Sequence, residues 1–101
     1  MYVGILEFDV LLGGADAAVD SLKHKRAILR PVLARLRRLD VSVAETGDHD
    51  LLRRAGIGVA VVSGDAGHLT EVLDICERQV AEELELGLLA ARRRIIGPHD
   101  D

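Results

Sequence analysis

The 101-residue chain has one cysteine, no tryptophan, one tyrosine and one phenylalanine, and two prolines. A lone thiol, Cys76, excludes an internal disulfide and a zinc-finger ligand set. Two aromatics leave almost nothing on which nucleobases could stack. No apolar run approaches the roughly 18 residues of a membrane span, so no membrane partner is expected. The first residues have no basic stretch, and Glu7 and Asp9 interrupt their apolar pattern, unlike a signal peptide; a cytoplasmic location is the expectation. Basic excess is missing too. The formal charge of −4 argues against indiscriminate nucleic-acid binding.

What is present is a composition for folding. Hydrophobic residues make up 49% and charged residues 30%, which excludes disorder for most of the chain. A chain of this size hides roughly 60–70% of the surface its unfolded form exposes. One domain over residues 1–96 is expected, with Gly97 to Asp101 as a disordered polar tail.

Tyr2 to Leu12 alternates, with Leu6, Phe8, Val10 and Leu12 on one face and Glu7 and Asp9 on the other, the pattern of a half-buried strand. A loop from Gly13 leads to Ser21, an N-cap for a helix running to about Leu39. Leu22, Ile28, Leu29, Val32, Leu33, Leu36 and Leu39 gather on its apolar stripe. Pro31 falls opposite that stripe, so one bent helix is expected rather than two. Val41 to Glu45 reads as a short strand, and Ile57 to Ser63 as an interior one. Gly64 and Asp65 open a second helix with Leu69, Val72, Leu73, Cys76, Val80 and Leu84 inward. Leu86 to Ile96 is the last strand. The order β-α-β-β-α-β, with right-handed crossovers, predicts a ferredoxin-like α/β sandwich: a four-stranded antiparallel sheet, first and third strands central, both helices on one face.

Charge is distributed unevenly. The first helix carries Lys23, Lys25, Arg26, Arg30, Arg35, Arg37 and Arg38 and no acid, whereas Asp65, Glu71, Asp74, Glu77, Glu82, Glu83 and Glu85 outnumber Arg78 on the second helix and beside it. Two oppositely charged neighbours would attract and solvate the domain, through weak exposed pairs. A sharper reading starts from Lys23, His24, Lys25 and Arg26 in the first turn, where the helix dipole is positive and favours anions. Cations there suit a phosphate or carboxylate ligand, unless Asp16 and Asp20 neutralise them. The candidate anion- or RNA-binding residues are therefore Lys23, Lys25, Arg26, Arg30 and Arg37, four of them on one ridge. Lys25 instead falls on the apolar stripe, where it either snorkels past the sheet edge or meets a carboxylate such as Glu45.

Ser21-Leu22-Lys23-His24-Lys25-Arg26, Val41-Ser42-Val43-Ala44-Glu45, Asp50 with Arg54, and Ile57-Gly58-Val59-Ala60-Val61-Val62-Ser63 together resemble the YlxP-like family, small bacterial proteins of unknown function. The likeness spans Tyr2 to about Ile96 and implies a ferredoxin-like fold. Family genes often lie among those for translation initiation and ribosome maturation, which implies a role linked to the ribosome or to RNA. The chain departs at Leu52, where many relatives carry tryptophan, and in a longer first loop. The family defines no catalytic residues to carry over.

Other constellations point to less. Glu7 and Asp9 make the open sheet face acidic, with Arg92 and Arg94 placed to pair with them across strands. Asp48-His49-Asp50 offers metal-ligand atoms, but adjacent residues in a turn rarely converge on one ion. His68 reads as a surface residue, Cys76 as an inert core thiol, and Gly13-Gly14 lacks the lysine and spacing of a phosphate-binding loop. No acid–base pair, triad, metal set or cofactor motif is apparent, so a non-enzyme is expected. Two functions compete: an accessory domain contacting phosphates of the ribosome or another structured RNA through the first helix, and a protein-interaction module or homo-oligomer using an edge strand or the open sheet face. An enzyme acting on a small anionic substrate is a third, minor reading.

Overall fold

The computed structural model describes residues 1–13 and 18–99. The elements are β1 (Tyr2–Leu12), α1 (Leu22–Arg37), β2 (Ser42–Gly47), β3 (Arg54–Ser63), α2 (Ala66–Ala81) and β4 (Leu86–Ile96). The strands form one sheet in the order β2-β3-β1-β4, and every neighbouring pair is antiparallel. This is the expected ferredoxin-like α+β sandwich. Asp16 and most of the first loop, and the last two residues of the tail, lie outside the described residues.

The alternation in β1 builds the core. Leu6, Phe8, Val10 and Leu12 are fully buried, and they join Ile28, Leu29, Val32 and Leu36 of α1 and Leu69, Leu73, Cys76 and Val80 of α2 in a single cluster. A side chain of this kind contributes about 1.5–3 kcal/mol when buried. At Gly4 the absent side chain is itself a packing feature: a Cβ there would lie 2.9 Å from Leu73 Cδ1, so α2 lies close over β1.

Both helices start on side-chain caps. Ser21 Oγ accepts from His24 N at 3.0 Å, and Asp65 Oδ1 accepts from Gly67 N at 2.8 Å and His68 N at 3.3 Å. Pro31 sits inside the continuous α1, exposed on the side away from the core. Pro31 offers no N–H to the Ala27 carbonyl one turn back, and Ala27 is itself exposed. α1 gives way to a turn in which Asp40 adopts φ 58°, the left-handed conformation that ends many helices.

Three boundaries differ from the expected ones. β2 extends to Gly47 and β3 begins at Arg54, because Gly56 pairs into the ladder rather than opening a turn. An irregularity between Glu45 and Gly47 lays Thr46 across β3; a Cβ on Gly58 would come within 2.5 Å of Thr46 Cγ2. Leu84, expected inside, is 96% exposed, since α2 stops at Ala81 and the chain turns before the stripe reaches it.

Candidate nucleic-acid interface

α1 divides its cations between two uses. Its buried face needs residues about 200° around the wheel from Lys23, and Lys25 falls there. Lys23, Arg26, Arg30 and Arg37 fall on the far side, and all four are exposed. From Lys23 to Arg37 they form a ridge about 21 Å long at 1.5 Å per residue step. Arg37 Nη2 donates to Val43 O at 3.3 Å. Among the described residues, the side chains of Lys23, Arg26 and Arg30 meet no acid and make no hydrogen bond.

Lys25 is not part of that ridge, and its place among the anion-binding candidates is corrected. It is 2% exposed. Its Nζ donates to the carbonyls of Asp48 at 2.7 Å and Leu51 at 2.6 Å and lies 3.3 Å from Glu45 Oε2. The expected contact with Glu45 is therefore present, and the snorkelling alternative is not. Glu45 Oε2 is buried and accepts no hydrogen bond; the ammonium charge compensates it, with His49 Nδ1 3.6 Å away. The lysine thus pins the β2–β3 connection against the start of α1. Asp48 and Leu51 take part only through their carbonyls, which no residue type announces. The Asp48-His49-Asp50 turn is exposed.

The acidic helix uses its charge differently. Asp74 and Glu77 face Arg93 of β4, at 2.8 and 3.8 Å. Between α1 and the α2 side of the molecule, one ion pair forms: Arg35 with Glu83, whose Oε1 accepts from Arg35 Nε at 2.8 Å. The attraction expected between the two helices is confined to that pair. Arg93 went unrecognised as a partner of α2. The strand alternation that sends Arg92 and Arg94 to one face sends it to the other.

On the open sheet face Arg92 does pair with the acids of β1, donating to Asp9 Oδ2 at 2.8 Å and Glu7 Oε2 at 3.4 Å. The Arg92 hydrogen bond holds the Asp9 carboxyl below its ordinary range, against the opposing effect of desolvation. Phe8 is fully buried and Tyr2 packs against the core, so neither offers a base a stacking surface on that face. Cys76 is fully buried, and desolvation pushes its thiol up, only partly offset by Arg93. Among the described residues no three His, Cys, Asp or Glu side chains are grouped to hold a metal ion, and no helix is long and apolar enough to cross a membrane.

No curated protein matches the chain. Several solved structures are similar in fold, SnoaB and Rv0793 among them. SnoaB, a cofactor-independent oxygenase from Streptomyces nogalater, has a TM-score of 0.49 at 9% identity, over 99% of this chain and 95% of that one. Rv0793 from Mycobacterium tuberculosis has a TM-score of 0.44 at 16% identity, over 97% of each chain. The expectation of a non-enzyme is corrected by the first of these. That protein is described as an oxygenase independent of any cofactor. The likeness is one of fold and carries over no activity and no residue. Residues 3–93 match the family described as "Protein of unknown function (DUF503)", and the chain belongs to that family.

Proposed function

We propose that the protein binds RNA through its phosphate backbone, with the α1 ridge of Lys23, Arg26, Arg30 and Arg37 as the contact surface. One observation carries this reading. Among the described residues the ridge cations stand exposed without acidic partners, although the acidic helix lies in the same layer and turns Asp74 and Glu77 to Arg93 instead. Two of them also sit in the first two turns of α1, where the dipole disfavours cations and the first turn itself holds no acid; Asp20, just before the cap, lies 3.8 Å from His24 Nδ1 instead. A phosphate would relieve both the dipole and the mutual repulsion. The resemblance to the YlxP-like proteins, with their ribosome-linked gene neighbourhoods, points to ribosomal or other structured RNA as the partner.

Recognition of this kind is electrostatic and reads no base edges, so it has a defined salt signature. Four phosphate contacts give a slope of roughly −3 in log K against log salt, or about a 50-fold loss of affinity for a fourfold rise in salt. Co-sedimentation with ribosomes at low and moderate salt tests it. The triple variant Lys23→Gln, Arg26→Gln, Arg30→Gln should lose association and keep the wild-type melt, because all three side chains are exposed. Binding that survives in the triple variant with an unchanged salt slope would sink the proposal.

A further inference from the structure

The open face of the sheet has a construction that a merely solvated face does not need. Of the rows that the ladder registers define across it, three fill its middle. The first runs Ser42, Ala60, Ile5, Arg94. The second runs Ala44, Gly58, Glu7, Arg92. The third pairs Gly56 with Asp9 and Ala90, and Thr46 lies over the glycine. In the first two rows β2 and β3 contribute the small residues, and β1 and β4 contribute the long ones. Half of the face is a hollow and half is raised. The hollow is an open groove of about 730 Å³ bounded by Glu7, Asp9 and Arg92 on its raised side. Val62, on the same side of β3, is 62% exposed.

An antiparallel sheet that faces water on one side carries polar side chains along its outer face. β2 and β3 carry Ser42, Ala44, Thr46, Gly56, Gly58, Ala60 and Val62 there, with charge only at Arg54 near the end of β3. The raised half is charged yet balanced: Glu7 and Asp9 against Arg92 and Arg94, with Arg92 bonded to both acids. Covering it would bury no net charge.

We infer that the open sheet face is the contact surface for a second copy of this chain. A two-fold axis along the strands, between β1 and β3, lays the raised half of each copy into the hollow of the other. That is the self-complementarity an isologous interface requires. Size permits it. Ten residues at about 3.3 Å and four strands about 4.8 Å apart give a footprint of roughly 600 Å², at the lower end of a specific interface, where each partner buries about 600–800 Å². Both α1 ridges would then face outward, on opposite sides of the dimer.

Sedimentation equilibrium tests the inference from low micromolar protein upward. The expected mass is twice the 10.9 kDa of the chain. Ala60→Arg should fill the hollow and give the monomer mass with an unchanged melt. Ala44→Lys, on a different strand, serves if Ala60→Arg does not fold. Leu84→Ser, on the helix layer, should leave the dimer intact. A monomeric wild type, a dimer that survives both hollow-filling variants, or a dimer lost in Leu84→Ser would each overturn it. The triple ridge variant should still dimerise, so failure of RNA binding and failure of dimerisation are read separately.

Discussion

α1 and α2 are the same length, 16 residues, and both start on a side-chain cap and bury an apolar stripe in the same core. They differ in how their charge is employed. Two acids of α2, Asp74 and Glu77, are taken up by an arginine on the neighbouring strand. α1 turns one cation inward, where it is fully engaged, and leaves three of its ridge cations facing solvent without partners. A helix's charge sign therefore says little about its role. What decides is whether a partner of opposite sign lies within reach, and among the described residues none does for Lys23, Arg26 or Arg30.

The largest expected effect belongs to the buried thiol of α2. Only the thiolate reacts, and burial both raises the Cys76 pKa and blocks access. Native labelling by a thiol reagent should then require unfolding and run at least about 10³-fold slower than in denaturant, given a folding stability of about 5 kcal/mol or more. Rapid native labelling would show that α2 opens locally, and the two helices would then differ in stability as well as in charge.

Lys25 is the next largest. Lys25→Ala removes two hydrogen bonds to backbone carbonyls and strands the Glu45 carboxylate, a change expected to cost about 3 kcal/mol. The denaturant midpoint should fall with an unchanged slope, and native labelling of Cys76 should quicken by about 100-fold. Lys23→Ala, two residues away and exposed, should shift stability by no more than about 0.5 kcal/mol. Equal effects at the two positions would erase the division of α1 into a pin and a ridge.

That division was partly legible before any coordinates. Periodicity alone puts Lys25 among the apolar residues and the four ridge cations opposite, and leaves Lys25 either to snorkel past the sheet edge or to meet a carboxylate such as Glu45. It cannot name the carbonyls of Asp48 and Leu51, because backbone acceptors more than twenty residues away leave no trace in residue type. The strand order followed from the element order and the handedness of crossovers. The later end of β2 and the earlier start of β3 were hidden because glycine reads as punctuation, whereas Gly47 and Gly56 pair in the ladder and Gly56 leaves room for Thr46. Leu84 kept the helical period after the helix had ended, and period alone does not reveal where a chain turns.

The smallest effect concerns Arg93, where α2's charge is put to use. Its side chain is 27% exposed and faces Asp74 and Glu77, which sit three residues apart on one helix face and repel each other once it is gone. Arg93→Gln should lower stability by about 1 kcal/mol at low salt. Arg93→Lys, which keeps the charge, should recover most of that. In about 1 M salt the Debye length falls to about 3 Å, so the gap between Arg93→Gln and wild type should narrow. Arg30→Gln is the counterpart on α1: with no acid to release, it should leave stability unchanged at either salt concentration. If Arg30→Gln is destabilising and its cost also fades with salt, the ridge is held by partners of its own, and the contrast between the helices becomes one of strength rather than of kind.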